Sequence, residues 1–271
     1  MPTSLEELLQ IMRTLRDERC GCPWDREQTF ASIAPSTLEE AYEVVDAIER
    51  QDLPHLKDEL GDLLFQVVFH SQMAQELGHF TFDDVAAAIC AKLVRRHPHV
   101  FAAAPQPTAK QPSADWEAIK ASERAAAAGD TPGSQLDGVP RALPALIRAV
   151  KLSKRAARVG FDWDLAEQTA AKVEEELQEV LQAIRENPDA KPSQNVFEEV
   201  GDLLFAVANL ARKLDVDAES ALRAANSKFE RRFRHMERAA GSSGTTVADL
   251  PLARLEELWN AAKRDERPES I

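Results

Sequence analysis

Glu59-Leu60-Gly61-Asp62-Leu63-Leu64-Phe65 returns 140 residues later as Glu199-Val200-Gly201-Asp202-Leu203-Leu204-Phe205. In the first copy Leu60, Leu63, Leu64, Val67 and Val68 recur at spacings of three and four, the period of one face of an α-helix. The acidic residues of each copy stand three apart, so they share a helical face. A glycine inside such a run costs about 1 kcal/mol relative to alanine. Gly61 and Gly201 therefore need a purpose, either close helix packing or backbone approach to a ligand.

Other blocks repeat around this one in the same order. Gly21-Cys22-Pro23-Trp24-Asp25 returns as Gly160-Phe161-Asp162-Trp163-Asp164, and Glu39-Glu40-Ala41-Tyr42-Glu43-Val44 as Glu175-Glu176-Leu177-Gln178-Glu179-Val180. Lys92-Leu93-Val94-Arg95-Arg96 returns as Lys228-Phe229-Glu230-Arg231-Arg232, and Trp116 with Lys120 as Trp259 with Lys263. Five blocks at offsets between 136 and 143 define a tandem duplication.

The pattern between the blocks is all-α. Ser4-Leu5-Glu6-Glu7 reads as a capping box that opens a helix. A second helix is expected from Ser36 or Thr37, just after Pro35, to about Arg50. A third runs from about Asp52, with Pro54 in its first turn, to just before Gly78. A fourth runs from about Thr81 to Pro98. Nothing reads as a run of alternating strands. Residues 102–113 look like a connector before a helix carrying Trp116, and further breaks fall at 187–193 and 241–249. The stretch 129–140, rich in Gly, Pro, Asp and Ser, is the expected linker between a first module at 1–128 and a second at 141–271.

The chain has 271 residues, a net charge of −13 and a pI near 5.0. That charge argues against a nucleic acid as partner, because a long polyanion would meet net repulsion. A small anionic substrate remains open, since a metal ion and local cations reverse the sign within one cleft. Three cysteines, Cys20, Cys22 and Cys90, and an N-terminus without a basic-then-apolar leader are expected of a soluble, cytoplasmic protein. Cys20-Gly21-Cys22 reads either as a metal or redox pair or as two incidental thiols near a turn. No apolar run approaches the roughly 20 residues that cross a membrane.

Glu176 and Glu179 share one helical face, Glu199 and Asp202 another, and two antiparallel helices would bring all four into one groove. Without a cation such a group repels itself. Oxygen ligands with no Cys or His suit a hard cation, Mg²⁺ or Mn²⁺, rather than Zn²⁺. Glu40, Glu43, Glu59 and Asp62 repeat the set as a possible second metal site. Acidic residues at this spacing also form ordinary solvated faces; recurrence of both pairs in both halves favours the metal. Mg²⁺ held this way commonly meets substrate phosphates, which gives Lys228 and Arg232, four apart, a role as phosphate contacts. Lys92 and Arg96, with Arg95, match them in the first half, and salt bridges to the acidic surface are the competing reading. Lys172 lies one turn before Glu176, where the first half has Ser36. Trp163 reads as core; Trp259 reads equally as core or as a flank for a base.

The ordered set Glu-Glu-x-x-Glu at 39–43 and 175–179, with Glu-x-x-Asp at 59–62 and 199–202, resembles the signature of MazG-type nucleoside triphosphate pyrophosphohydrolases. The blocks at 21–25, 95–101 and 229–233 extend the resemblance over nearly the whole chain, in the long two-module bacterial form. The resemblance implies four-helix-type modules, homodimerisation, and Mg²⁺-dependent hydrolysis of canonical or aberrant NTPs and dNTPs to monophosphate and pyrophosphate. Carried over, it implies Glu176, Glu179, Glu199 and Asp202 as metal ligands. It also implies Lys172, Lys228, Arg232, Trp259 and Lys263 as phosphate or nucleotide contacts, with the C-terminal module the working one.

Under this reading carboxylate-held Mg²⁺ neutralises developing charge, and Glu175 is the candidate that orients or deprotonates water. A di-iron carboxylate bundle would place His at Glu179, Asp202, Glu43 or Asp62, and none is there. The alternative from another class is a helical nucleotide-binding or regulatory module without turnover.

Overall fold

The computed structural model describes residues 3–101, 133–186 and 193–266. The connector at 102–113, the helix carrying Trp116 and Lys120, and residues 129–132 and 187–192 lie outside the described residues. The chain divides into two compact units, Met1–Gly129 and Asp130–Ile271. Every regular element among the described residues is helical, and none of these helices is long and apolar enough to cross a membrane.

The first unit contains α1 (Ser4–Leu15), α2 (Pro23–Glu27), α3 (Phe30–Glu49), α4 (Leu53–Glu76), α5 (Phe82–Arg96) and the single turn α6 (Pro98–Phe101). Local chemistry sets the starts. Thr3 rather than Ser4 caps α1: its hydroxyl accepts from the Glu6 amide, while the Glu6 carboxylate accepts from the Thr3 amide at 2.6 Å. Asp52 caps α4 ahead of Pro54, and Thr81 with Asp84 boxes α5.

The second helix differs from the sequence expectation. It begins at Phe30, seated on a Thr29–Ser32 box, and carries Pro35 inside it. Proline here forfeits one early intrahelical bond, and the box together with tertiary packing outweighs that loss. Ile33 lies within this early segment, and it joins Met12, Val68, Phe69 and Met73 in a buried core where α1, α3 and α4 meet.

The second unit contains α7 (Ala145–Ala157), α8 (Ala166–Glu186), α9 (Gln194–Lys213), α10 (Ala218–Ser242), a 3₁₀ turn (Val247–Asp249) and α11 (Leu252–Asp265). α8 and α9 form its main helix pair, as α3 and α4 do in the first unit. The duplication holds in register: α8 starts 136 residues after α3, the offset that relates Glu40 to Glu176. The two interiors differ in bulk. Buried positions of the second unit are mainly small, including Ala149, Ala183, Ala206, Ala208, Ala240 and Ala262, with Val180 and Met236.

Turn geometry joins α7 to α8. Gly160 takes φ +84°, a left-handed conformation that suits glycine, and so reverses the chain into Phe161. Asp162, next in line, is gripped by Arg212 at 2.6 Å and Lys213 at 3.1 Å from the C-terminal turn of α9. These two pairs fix the 160–164 loop against the main helix pair.

Candidate metal centre

Helical register on α8 and α9 delivers the second acidic set. Glu176, Glu199 and Asp202 each offer one carboxylate oxygen, and these oxygens lie within 4.8 Å of one another. Glu176 is 7% exposed, Glu199 half-buried and Asp202 exposed, so the group has a buried floor and an open side. Glu179 stands outside this trio but is coupled to it. Its hydrogen bond with Glu176, local desolvation and the charges of Glu176 and Glu199 push its carboxyl above the ordinary range, against the opposing charge of Lys172. A hydrogen bond between two carboxyl groups requires a shared proton, which a bound cation would replace.

The first unit repeats this with Glu40, Glu43 and Glu59, whose carboxylate oxygens likewise lie within 4.8 Å. Here the buried member is Glu59, 7% exposed, and Asp62 acts from outside the trio. Burial, then the charges of Asp62, Glu43 and Glu59, raise the Glu40 pKa, and burial with Glu43 raises that of Glu59. An all-carboxylate donor set fits a hard divalent cation in either unit.

The neighbours of the buried carboxylates differ. Lys172 Nζ lies 2.7 Å from Glu175 Oε1 and 2.8 Å from Glu176 Oε1. In the first unit His55 Nε2 lies 3.0 Å from Glu59 Oε1 instead. Glu175 is thus exposed beside the trio and engaged with Lys172.

The remaining predicted contacts form a separate group on α10 and α11. Arg232 Cζ stands 5.6 Å and Lys263 Nζ 5.9 Å from the Trp259 ring centroid, with the Phe229 ring 5.2 Å away. Arg232 also donates to Glu266 at 2.7 Å, and Lys228 is exposed one turn earlier. α10 touches α9, which links this cluster to the helix bearing Glu199 and Asp202. Lys92, Arg95 and Arg96 lie on α5, which packs on α4, rather than on the helices that bear the first acidic trio.

Trp163 departs from its expectation, and two readings the sequence left open become narrower. A Cβ built at Gly61 or Gly201 meets nothing within 4 Å, so packing within the unit does not require these glycines. Within the unit the space beside Glu59–Asp62 and Glu199–Asp202 is open, which admits a ligand or a second copy of the chain. Trp163 is not core: it is 39% exposed and walls a pocket of about 460 Å³ with Phe161 and Phe205. Lys172 and Glu176 also line this pocket, which the sequence reading missed. Cys20 and Cys22 are both free, and the carboxylate of Asp17 accepts from the Cys20 thiol and pushes its pKa up. That disfavours the thiolate a metal or redox pair needs.

Comparison with known proteins finds one domain twice along the chain. The MazG nucleotide pyrophosphohydrolase domain matches residues 28–101 and again 166–237, the stretches that carry α3–α5 and α8–α10. The chain belongs to the MazG nucleotide pyrophosphohydrolase family, twice over, and is an enzyme of that hydrolase class. It is 53% identical over 262 residues to the nucleoside triphosphate pyrophosphohydrolase of Escherichia coli (strain K12), covering 97% of this chain and 98% of that protein. It is 44% identical over 258 residues to the nucleoside triphosphate pyrophosphohydrolase/pyrophosphatase MazG of Thermotoga maritima, covering 95% of each. The nucleoside triphosphate pyrophosphohydrolase of Mycobacterium tuberculosis is 34% identical over 248 residues, covering 90% of this chain and 63% of that protein.

Proposed function

We propose that the chain is a Mg²⁺-dependent enzyme that hydrolyses NTPs and dNTPs, canonical or aberrant, to nucleoside monophosphate and pyrophosphate. The observation that carries this reading is the convergence of Glu176, Glu199 and Asp202 oxygens within 4.8 Å, in a family of nucleotide pyrophosphohydrolases. Glu176, Glu179, Glu199 and Asp202 hold the cation; Mn²⁺ has the same ligand preference. When bound, the cation neutralises phosphate charge and acidifies water.

The side chains do the rest. Glu175 takes the proton of the attacking water. Lys172, already within hydrogen-bond distance of Glu175 and Glu176, turns to the triphosphate when the carboxylates are engaged. Lys228 and Arg232 hold the departing pyrophosphate, and Lys263 and Trp259 extend that contact. Glu40, Glu43, Glu59 and Asp62 form a second cation site, with Lys92, Arg95 and Arg96 as its candidate phosphate contacts.

The working form is a cytoplasmic homodimer. On α9, Phe197, Val200, Leu204 and Val207 are all at least 40% exposed and fall at heptad-like spacing, as does the α4 stripe Leu60, Leu64 and Val67. Exposed apolar stripes of this kind support association of helices between copies.

The test is a panel of NTPs and dNTPs incubated with the full chain, with and without Mg²⁺, followed by separation of products. Monophosphate and pyrophosphate in equal amounts are expected. Orthophosphate as the product, or no turnover of any nucleotide, would overturn the proposal.

A further inference from the structure

Part of the stretch expected as a linker borders the second unit's pocket. Leu136 lines the space of about 460 Å³ that Phe161 and Trp163 also wall, together with Lys172 and Glu176. Its segment is a tight turn. The Asp137 amide donates to the Ser134 carbonyl at 3.0 Å, the Ser134 amide to Asp137 Oδ2 at 2.8 Å, and the Leu136 amide to Ser134 Oγ at 3.2 Å. One side chain of α7 ties this turn to the helix: Arg155 Nη1 donates to the carbonyls of Gln135 at 3.1 Å and Asp137 at 3.2 Å. Those carbonyls flank Leu136, so a single guanidinium fixes the backbone on both sides of it.

The first unit uses the matching arginine differently. At the offset of 139 that relates Gly21 to Gly160, Arg155 corresponds to Arg16. Arg16 Nη1 donates to the carbonyls of Asp25 and Gln28, which holds the loop of its own unit, and its Nη2 binds Glu76 at 2.6 Å. In the second unit the corresponding loop is held through Asp162 by Arg212 and Lys213, and Val216 stands where the first unit has Glu76. With that loop secured from α9, Arg155 reaches the 134–137 turn instead. The change of partner places Leu136, the apolar member of the run Ser134-Gln135-Leu136-Asp137, at the pocket. Leu136 is 44% exposed, so an occupant of the pocket would cover apolar surface that water now meets.

We propose that the 134–137 turn is part of the substrate site of the second unit, with Leu136 a contact residue and Arg155 the positioning residue that sets it. The proposal rests on the hydrolase reading for the nature of the occupant. Glu176 belongs both to the acidic trio and to the pocket lining, so a substrate at the metal centre lies beside the space that Leu136 bounds. The walls differ in anchorage. Phe161 and Trp163 flank Asp162, which two ion pairs hold, whereas the turn is tied to α7 through main-chain bonds from one arginine. Few buried contacts and exposed hydrogen bonds mark a segment that opens at lower cost than the helices beneath it. The turn yields as substrate enters and closes on it afterwards.

Two measurements on the full chain in Mg²⁺ test this: steady-state kinetics with the four common NTPs, and hydrogen exchange of a peptide spanning 134–138 with and without their α,β-methylene analogues. In the wild type at least one analogue should slow exchange of that peptide roughly tenfold. Leu136→Ala should raise KM about tenfold with a smaller fall in kcat. Arg155→Met should do the same and abolish the slowing, and Arg155→Lys, which keeps a charged donor, should recover part of both. An arginine that merely supported the fold would lower Tm and leave KM unmoved. If Arg155→Met does not fold, Leu136→Ala decides. Unchanged KM in Leu136→Ala, or exchange at 134–138 indifferent to all four analogues, overturns the proposal. Slowed exchange in a protein that turns over no NTP would sink only the hydrolase reading.

Discussion

Lys172 Nζ sits 2.8 Å from Oε1 of Glu176, the buried member of the acidic trio, one helical turn away on α8. Hydrogen bonds to Glu175 and Glu176 raise the Lys172 pKa, so the ammonium is firmly charged. It partly neutralises the carboxylates in the cation-free protein and competes with a cation for Glu176. Lys172→Met should therefore tighten Mg²⁺ binding in the absence of nucleotide, because the site becomes more negative. The same substitution should raise KM for the triphosphate about tenfold by removing a phosphate contact. Calorimetry with Mg²⁺ alone and steady-state kinetics separate the two effects. Weaker Mg²⁺ binding in the variant would show that Lys172 supports the cation site rather than competing with it.

Glu199→Gln and Asp202→Asn remove one charge each from the trio while keeping shape. Each should reduce pyrophosphate release at least about 100-fold. Repulsion also falls, so the Tm of either variant in EDTA should equal or exceed that of the wild type. Retained turnover would displace the metal centre from these residues, whereas a large Tm loss would mark them as structural.

The pH dependence runs in two directions. Glu179 is raised above its ordinary 4.5 by its hydrogen bond to Glu176, local desolvation and like charge. The folded state thus holds that proton more tightly than the unfolded chain. The stabilising contribution is present below the unfolded value and is lost as pH rises through the folded one. The Tm gain from adding Mg²⁺ should grow as pH increases above 4.5, and a gain independent of pH would remove the shared-proton picture.

Asp162 is the opposite case. Burial raises its pKa, but hydrogen bonds from Arg212 and Lys213 outweigh burial and hold it below the ordinary 3.8. Its contribution is present above that value and is lost as pH falls through the folded pKa. Asp162→Asn should cost about 1–2 kcal/mol near neutral pH, discounted for partial exposure. In urea titrations that difference should shrink below pH 3.8. A constant difference down to the acid limit would mean that packing, not the ion pairs, accounts for it.

The helices and the two acidic sets were legible because both obey a periodicity, and because duplication printed each of them twice. The helix start near Pro35 was misplaced because a proline usually marks a boundary, while here the Thr29–Ser32 box and burial of Ile33 carry the helix back to Phe30. Trp163, expected in the core because most tryptophans are buried, instead stands exposed next to Asp162, which Arg212 and Lys213 hold. The buried polar residues of the pocket, Thr169 and Asn209, did leave a signal. Ile33 against Thr169 and Phe69 against Asn209 are apolar-to-polar changes at matching helical positions. Side-chain pairing such as Lys172 with Glu176 depends on rotamers and burial that spacing alone leaves open.

Arg232 offers the last test. Its Nε donates to Glu266 at 2.7 Å while its guanidinium lies over Trp259, and Arg231 binds the other oxygen of Glu266 at 2.7 Å. Hydrogen bonds from Arg232 and Arg231 hold the Glu266 pKa below its ordinary value, and in the proposed site a phosphate oxygen would compete with this carboxylate for Arg232. Arg232→Ala should raise KM for the triphosphate about tenfold with a smaller change in kcat if the contact is made equally in ground and transition states. Glu266→Gln should tighten inorganic pyrophosphate as a product inhibitor, because its charge no longer competes for the guanidinium. Weaker pyrophosphate inhibition in Glu266→Gln would show instead that Glu266 holds Arg232 in its working position.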